Sequence, residues 1–280
     1  MDKKLIFYDI TWYNYPPDKN YFALAEELTE NIKHSPKIEK KLSSNTEKLE
    51  KIINKYKFLY KQIPFIHSIY VCNSLSFKSI HENSDIDLFI VCKNNRIFLA
   101  KFFTWLFFKI FWLWWNHEKE KFCCGFFVTQ QAQDLYPISI WPVDLYLAYW
   151  IAHLQPLYSE NWVKEIYKEN LWVKQIIPNY QLKEKKILNI NFSKWKWFIK
   201  SILEKLFGFD FLNSIVGFFW KKKMNRTKKK LWKKWENIII SDNILKFHAP
   251  DKRKIIYLRY KSLKTENKKS FKKHEEKTIF

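Results

Sequence analysis

Short apolar runs separated by polar turns fill the middle of the chain, residues 63–158. Three of these runs are rich in β-branched and aromatic residues and predict strands at residues 65–73, 85–93 and 121–130. Two longer apolar segments predict helices at residues 96–115 and 143–154. Because strands alternate with helices along this stretch, we expect a core of the α/β or α+β class.

Helix signals and basic residues characterise both flanks of this core. In residues 1–62, two segments begin with residues typical of helix starts, a proline pair and a Ser/Asn/Thr cluster, which predicts a helical N-terminal region. Residues 159–260 predict a basic, mostly helical C-terminal region with a strand-like segment at 252–260. Residues 261–280 are polar, and we expect this tail to be disordered.

Residues 97–115 are long and apolar enough to require a test for a membrane span. Lys101 and Lys109 lie inside the segment, and each costs about 2.5–3.5 kcal/mol near a bilayer centre. A span would also place the two flanking strands on opposite sides of the membrane. At about 100° per residue, Lys101, Thr104 and Lys109 share one sector of the helix. We therefore expect a core helix with a broad apolar face toward the sheet.

The net charge of the chain is +22, from 50 Lys and Arg against 28 Asp and Glu. Such an excess favours polyanionic partners such as nucleic acid, nucleotide phosphates or an anionic membrane. An alternative is compositional, because an AT-rich genome also enriches Lys, Asn, Ile, Phe and Tyr. The charge alone does not separate these interpretations.

The most basic segment is 221–235, in which nine of fifteen residues are Lys or Arg and none is acidic. Its lysines can neutralise phosphates, and Trp232 and Trp235 can stack on unpaired bases, so the segment is a candidate for nucleic-acid contact. A solvated lysine face is the simpler interpretation. Just upstream, residues 193–220 mix Trp, Phe and Lys, a composition that also suits a helix at a membrane surface, which we consider the less favoured partner.

Four cysteines occur, Cys72, Cys92 and the adjacent pair Cys123 and Cys124, without any C-x-x-C spacing. This pattern disfavours a zinc site, and cysteines inside apolar strands behave as small hydrophobic residues. The N-terminus lacks an apolar stretch long enough for an export signal. We therefore expect a reducing, cytoplasmic environment.

Candidate chemistry concentrates where the first predicted strand ends and the second begins. Asp85 and Asp87 are two positions apart, so on a strand they share one face and can hold a divalent cation such as Mg²⁺. The polar pair Asn73 and Ser74 ends the preceding strand, and the turn there can present backbone N–H groups to a phosphate. Ser84 is placed to cap or orient the start of the acidic strand.

This arrangement resembles the nucleotidyltransferase superfamily of DNA polymerase β. In that superfamily a strand ends in Gly-Ser or a related pair, here Asn73-Ser74, and Asp-x-Asp follows about ten residues later in an apolar strand, here Asp85-Ile86-Asp87. The chain is more similar still to a poorly characterised bacterial branch. The elements that carry this likeness are Tyr15-Pro16, Asn170-Leu171-Trp172 and residues 247–251.

The resemblance implies an α+β fold, a nucleotidyltransferase-type mixed sheet with helices packed on it, between helical N- and C-terminal regions. It implies transfer of a nucleoside monophosphate from an NTP to an acceptor hydroxyl, dependent on Mg²⁺ or Mn²⁺. Asp85 and Asp87 would then be the catalytic metal ligands, and Asn73, Ser74 and Ser84 would line the nucleotide site. The alternative is a catalytically lapsed member that binds RNA or nucleotides through its basic surface.

Two departures from the pattern bear on this expectation. The family glycine is replaced by Asn73, which enters left-handed backbone conformations more readily than most residues, so the turn can still form. The third predicted strand, 121–130, has no acid in its apolar body, where the family's third carboxylate is expected. Asp134 and Asp144 are the nearest candidates to replace it.

Overall fold

The structure is a computed structural model, and its described residues are 47, 49–56, 59–76, 85–114, 122–140, 143–159, 165–177, 195–230, 238–247, 253–254 and 257–258. Within them the strands are β1 (Ile66–Cys72), β2 (Ile86–Cys92), β3 (Phe122–Thr129), β4 (Gln155–Ser159), β5 (Ile239–Ile240) and β6 (Ile244–Lys246). The named helices are α1 (Asn73–Ser76), α2 (Ile97–Trp114), α3 (Leu145–Ala152), α4 (Glu165–Glu169), α5 (Trp195–Phe207) and α6 (Asp210–Lys230). Residues 49–56 are also helical.

The six strands form one mixed sheet in the order β4-β1-β2-β3-β6-β5. The β1 strand is antiparallel to both β2 and β4, and β3 is antiparallel to β6. The central pair, β2 and β3, is parallel, and α2 provides the long crossover that a parallel pair requires. The protein therefore has an α+β fold built on a mixed sheet, as expected.

Helices cover both faces of this sheet. Alternate residues of β2 point to opposite sides, so Leu88 and Ile90 pack in the core beneath α2, while Phe89 and Val91 pack in the core beneath α3. Because these strands are buried on both faces, they are almost continuously apolar in sequence. Asp85 and Asp87 lie at the beginning of β2, and the rest of this strand has no acid.

The three strands and two helices predicted for the core are confirmed. The segment after α3 differs, because Pro156, interpreted as a helix stop, lies inside the strand β4. This strand is at the edge of the sheet, where a proline costs no ladder hydrogen bond on its outer side. The strand predicted at 252–260 is wrong for its described residues, since 253–254 and 257–258 are helical.

Strands from the C-terminal region complete the core sheet, because β6 pairs with β3 through Phe126–Lys246, Phe127–Leu245 and Val128–Ile244. The sheet therefore includes strands from both sides of the boundary predicted at residue 158. Most of the predicted N-terminal region 1–62 and the whole tail 261–280 lie outside the described residues.

The helix α2 packs on the sheet by its apolar side, and none of the described helices has the length and apolar content to cross a bilayer. Of the three residues predicted to form its polar sector, Lys109 is exposed, Lys101 is half-buried and Thr104 is buried. Thr104 is buried and donates to the Ala100 carbonyl at 2.7 Å. The Lys101 ammonium lies 4.7 Å from the centre of the Phe127 ring and donates to the Cys124 carbonyl at 2.9 Å. Burial lowers the pKa of Lys101.

Candidate functional site

The candidate site lies at the end of the three central strands where β1 ends and where β2 and β3 begin. In the antiparallel pair Cys72 stands opposite Asp87, and in the parallel pair Asp87 stands beside Cys123. The three residues form a row across three neighbouring strands. The turn at Asn73 follows Cys72 directly, so the sheet brings it next to the acidic start of β2.

The charges of the two carboxylates both raise the pKa of the Cys123 thiol. Asp85 is exposed and Asp87 is half-buried. Burial raises the pKa of the Cys123 thiol, and the negative charges of Asp87 and Asp85 and a side-chain hydrogen bond with Asp87 raise it further. Both acids are therefore within electrostatic reach of Cys123. That the two carboxylates share one face of the strand stays a prediction.

Asn73 adopts the left-handed backbone conformation that was expected at this position, with φ of 56°. Its side chain is fixed by α3, because Oδ1 accepts from Trp150 Nε1 at 2.8 Å and from the Tyr146 hydroxyl at 3.2 Å. The expectation that asparagine tolerates this backbone is confirmed. Sequence reasoning missed the two aromatic partners, because their distance from Asn73 along the chain gives no local signal.

The single helical turn α1 begins at Asn73, and within it Ser76 Oγ donates to the Asn73 carbonyl at 2.8 Å. The backbone of Ser74 belongs to this turn, whereas its side chain lies outside the described part of the structure. Ser84 also lies outside it. Their contacts with nucleotide stay predictions.

This geometry predicts different costs for two substitutions of Asn73. Asn73→Gly keeps the left-handed turn and loses the two side-chain hydrogen bonds, so we expect it to lower the free energy of unfolding by about 1 kcal/mol. Asn73→Ala also places a Cβ in the left-handed region, which brings the expected loss to about 2 kcal/mol. Urea unfolding monitored by circular dichroism measures both. Equal losses would contradict the strained turn.

Neither candidate for the third carboxylate is directed to this site. Asp134 follows the opposite end of β3 and accepts from the Tyr136 amide at 2.9 Å. Asp144 is buried, accepts from the Leu147 amide at 2.9 Å as the cap of α3, and pairs with Arg253 Nη1 at 2.9 Å. Burial raises the pKa of Asp144, while Arg253 and the two amide donors act against this rise.

The acidic pair fits one mode of divalent-ion binding. Across the described ranges, no group of three His, Cys, Asp or Glu side chains can hold a metal by itself. Mg²⁺, however, commonly binds through one or two carboxylates and completes its shell with water and substrate phosphates. Asp85, which is exposed, and Asp87, which is half-buried, would supply such a pair. The Cys123 thiol beside them is a soft ligand that Mg²⁺ does not favour.

Other residues of the motif elements have structural partners. Asn170 is fully buried, accepts from the Leu135 amide at 2.9 Å and from Trp172 Nε1 at 3.1 Å, and donates to the carbonyls of Gln133 and Ile166, both at 2.7 Å. The Asn-Leu-Trp element thus ties the loop after β3 to α4. Tyr15-Pro16 and residues 248–251 lie outside the described residues.

No family model matches the chain, and no curated protein or solved structure is significantly similar to it. The resemblance to the polymerase β superfamily therefore depends on the motif residues alone. The geometry adds that the turn and the acidic pair, separated by residues 75–84 in the sequence, lie side by side in the fold.

Proposed function

We propose that the protein is a Mg²⁺-dependent nucleotidyltransferase that moves a nucleoside monophosphate from an NTP to an acceptor hydroxyl. The observation that supports this best is the pairing of Cys72 with Asp87. It brings the left-handed turn at Asn73 next to the start of β2. A phosphate bound at the turn and a cation held by Asp85 and Asp87 would then be neighbours.

In this proposal Asp85 and Asp87 would hold the cation, and the cation would orient the triphosphate. The backbone amides of the Asn73-Ser74 turn bind the outer phosphates, and Ser84 supports the start of the acidic strand. Bound Mg²⁺ would neutralise the charge that develops on the transferred phosphoryl group and the leaving pyrophosphate. Trp150 and Tyr146 act as positioning residues, because they hold the Asn73 side chain and with it the turn.

A second candidate is a lapsed nucleotidyltransferase that binds nucleotides or RNA without transferring them. Cys123 favours this candidate, because it occupies the β3 position beside Asp87, on the neighbouring strand where an acid is expected. Without a third carboxylate, activation of the acceptor hydroxyl lacks a base among the described residues.

Transfer and binding assays separate the two candidates. The purified protein is incubated with each α-labelled NTP, Mg²⁺ or Mn²⁺ and cell extract, and label is followed into protein, RNA and small-molecule fractions. Binding of the same NTPs is measured separately by calorimetry with and without the metal. Metal-dependent transfer supports the enzyme. Metal-dependent binding without transfer supports the second candidate, and neither activity would overturn both.

The role of the β3 position can be tested by restoring an acid there. We expect Cys123→Asp to tighten Mn²⁺ binding about tenfold, because a third carboxylate would face the cation that Asp85 and Asp87 hold. Free Mn²⁺ measured by electron paramagnetic resonance gives the affinity. Cys123→Asn is the matched control, with similar volume and no charge. Equal affinities for the two variants would place Cys123 away from the cation.

A further inference from the structure

The helices α5 and α6 expose a patch of large apolar side chains that the core does not use. Its main members are Leu206, Phe209, Phe211, Ile215, Phe218 and Phe219. Phe218 is 63% exposed and Phe219 is 65% exposed. We call this set the α5–α6 patch. Its members lie close together along the chain, and the ring pairs Phe209–Phe211 and Phe218–Phe219 are in contact. Such a concentration of exposed aromatic and aliphatic residues is typical of an interaction site rather than of an ordinary surface.

The orientation of the patch is fixed by the packing of α6 on α2. Asn213 is buried and accepts from the amides of Phe98 at 3.1 Å and Leu99 at 3.2 Å. At Gly217 the helices approach so closely that a Cβ there would lie 2.7 Å from the Phe98 ring. One side of α6 is therefore committed to the core, and the patch cannot turn inward without breaking this contact.

The exposed side of α6 changes character along its length. Phe211, Ile215 and Phe218 lie within one sector at helical spacing, and Lys222 and Arg226 continue the same exposed stripe. Residues 211–230 contain seven basic residues and no acid. Asp210, at the start of the helix, pairs with Arg96. The stripe is therefore apolar near the turn between the helices and cationic farther along.

This combination selects one kind of partner. A second copy of the chain would bring the same positive charge against the cationic half. RNA would match the charge and could stack on the phenylalanines, but Leu206 and Ile215 would find no apolar partner. An anionic lipid surface satisfies both halves, because its acyl boundary accepts aliphatic and aromatic side chains while its headgroups attract Lys and Arg.

We propose that the α5–α6 patch and the cationic stripe that follows it on α6 form a peripheral docking site for anionic membranes. The α5–α6 patch inserts at the boundary between headgroups and acyl chains, and Lys222 and Arg226 contact lipid phosphates. The helices lie on the bilayer rather than crossing it, in agreement with their length and composition. This surface is independent of the acidic pair on β2.

Flotation of the full-length protein with lipid vesicles tests the proposal. We expect binding to phosphatidylcholine vesicles with about 30 mol% phosphatidylglycerol, and little binding to phosphatidylcholine alone. Phe218→Ser/Phe219→Ser should weaken the partition about tenfold, because both side chains are mostly exposed and, within the described fold, the ring contacts they lose are with each other and with the Lys222 ammonium. Lys222→Glu should weaken it by at least about fivefold, and added salt should weaken the wild type as well.

Leu171→Ser is the matched control, since Leu171 is a half-exposed leucine outside the α5–α6 patch, and it should bind as the wild type does. Circular dichroism melts confirm that each variant is folded. The proposal is overturned if the wild type ignores anionic vesicles or if the Phe218/Phe219 variant binds them normally. It is also overturned if that variant instead loses single-stranded RNA binding, or self-association measured by light scattering, with vesicle binding intact.

Discussion

Replacing Asp85 and Asp87 together by asparagine is expected to reduce nucleotidyl transfer by about 100-fold or more, because the cation that neutralises the reacting phosphates loses both carboxylate ligands. Asparagine keeps the volume of the side chains and their place at the start of β2. The fold should therefore survive, since Asp85 is exposed and Asp87 is half-buried, at the beginning of β2. The loss is measured as label transferred per unit time at saturating NTP and Mg²⁺.

Asp134→Asn is the matched control for this double variant. Asp134 is an exposed acid with a local hydrogen bond to the Tyr136 amide, at the far end of β3 from the acidic pair. Its substitution changes the net charge by one and leaves the proposed site untouched, so transfer should stay within about twofold of the wild type. Transfer that persists in the Asp85/Asp87 variant would remove both residues from the mechanism.

The same two variants also serve the second candidate function. If the protein only binds nucleotides, the double variant should lose the part of the NTP affinity that depends on Mg²⁺ and keep the part that does not. The control variant should keep both. Calorimetry with and without metal therefore tests the site even where no acceptor is found, and an unchanged affinity would contradict the site in either function.

The sequence predicted the central strands well because burial on both faces leaves a strong signal. The run from Ile86 to Cys92 is apolar except for Asp87, and an uninterrupted run of this length between polar turns fits a buried strand. The helix α2 was predicted for the same reason. The prediction that Lys101 belongs to a polar sector facing solvent was wrong. Its side chain extends over the sheet to the Cys124 carbonyl, and helical spacing cannot show such a contact.

The edges of the sheet were not predicted, because short edge strands carry little pattern. Pro156 is a helix breaker in local terms, and only the pairing of β4 with β1 explains it as a strand residue. The strands β5 and β6 have two and three residues, too few for alternation to be recognised. The place of β6 in the sheet depends on its pairing with β3, more than a hundred residues away, and β5 pairs with β6.

At the candidate site, the sequence predicted the conformation of Asn73 but not the neighbours of Asn73 and Asp87. Cys123 lies beside Asp87 because the register of β2 and β3 shifts between Asp87 and Phe89. The extra residue on β3 puts Phe126, rather than Gly125, on the same side as Phe89. Such an irregularity is invisible in an apolar run, so the residue opposite an acid could not be inferred.

The largest effect on stability is expected at Asn170, whose side chain makes four hydrogen bonds in a fully buried setting. Asn170→Ala leaves two donors and two acceptors without this partner. We expect the free energy of unfolding to fall by about 3–5 kcal/mol, a large share of the stability of a typical domain. Denaturant unfolding followed by far-ultraviolet circular dichroism measures the loss.

Asn94→Ala is the matched control, because Asn94 also accepts from a backbone amide, that of Gln131 at 3.0 Å, but does so at an exposed position. Water can replace that bond, so the expected loss is within about 0.5 kcal/mol. The contrast between the two asparagines isolates burial as the cause. A small loss in the free energy of unfolding at Asn170 would mean that water reaches the loop after β3. The proposed structural role of the Asn-Leu-Trp element would then be contradicted.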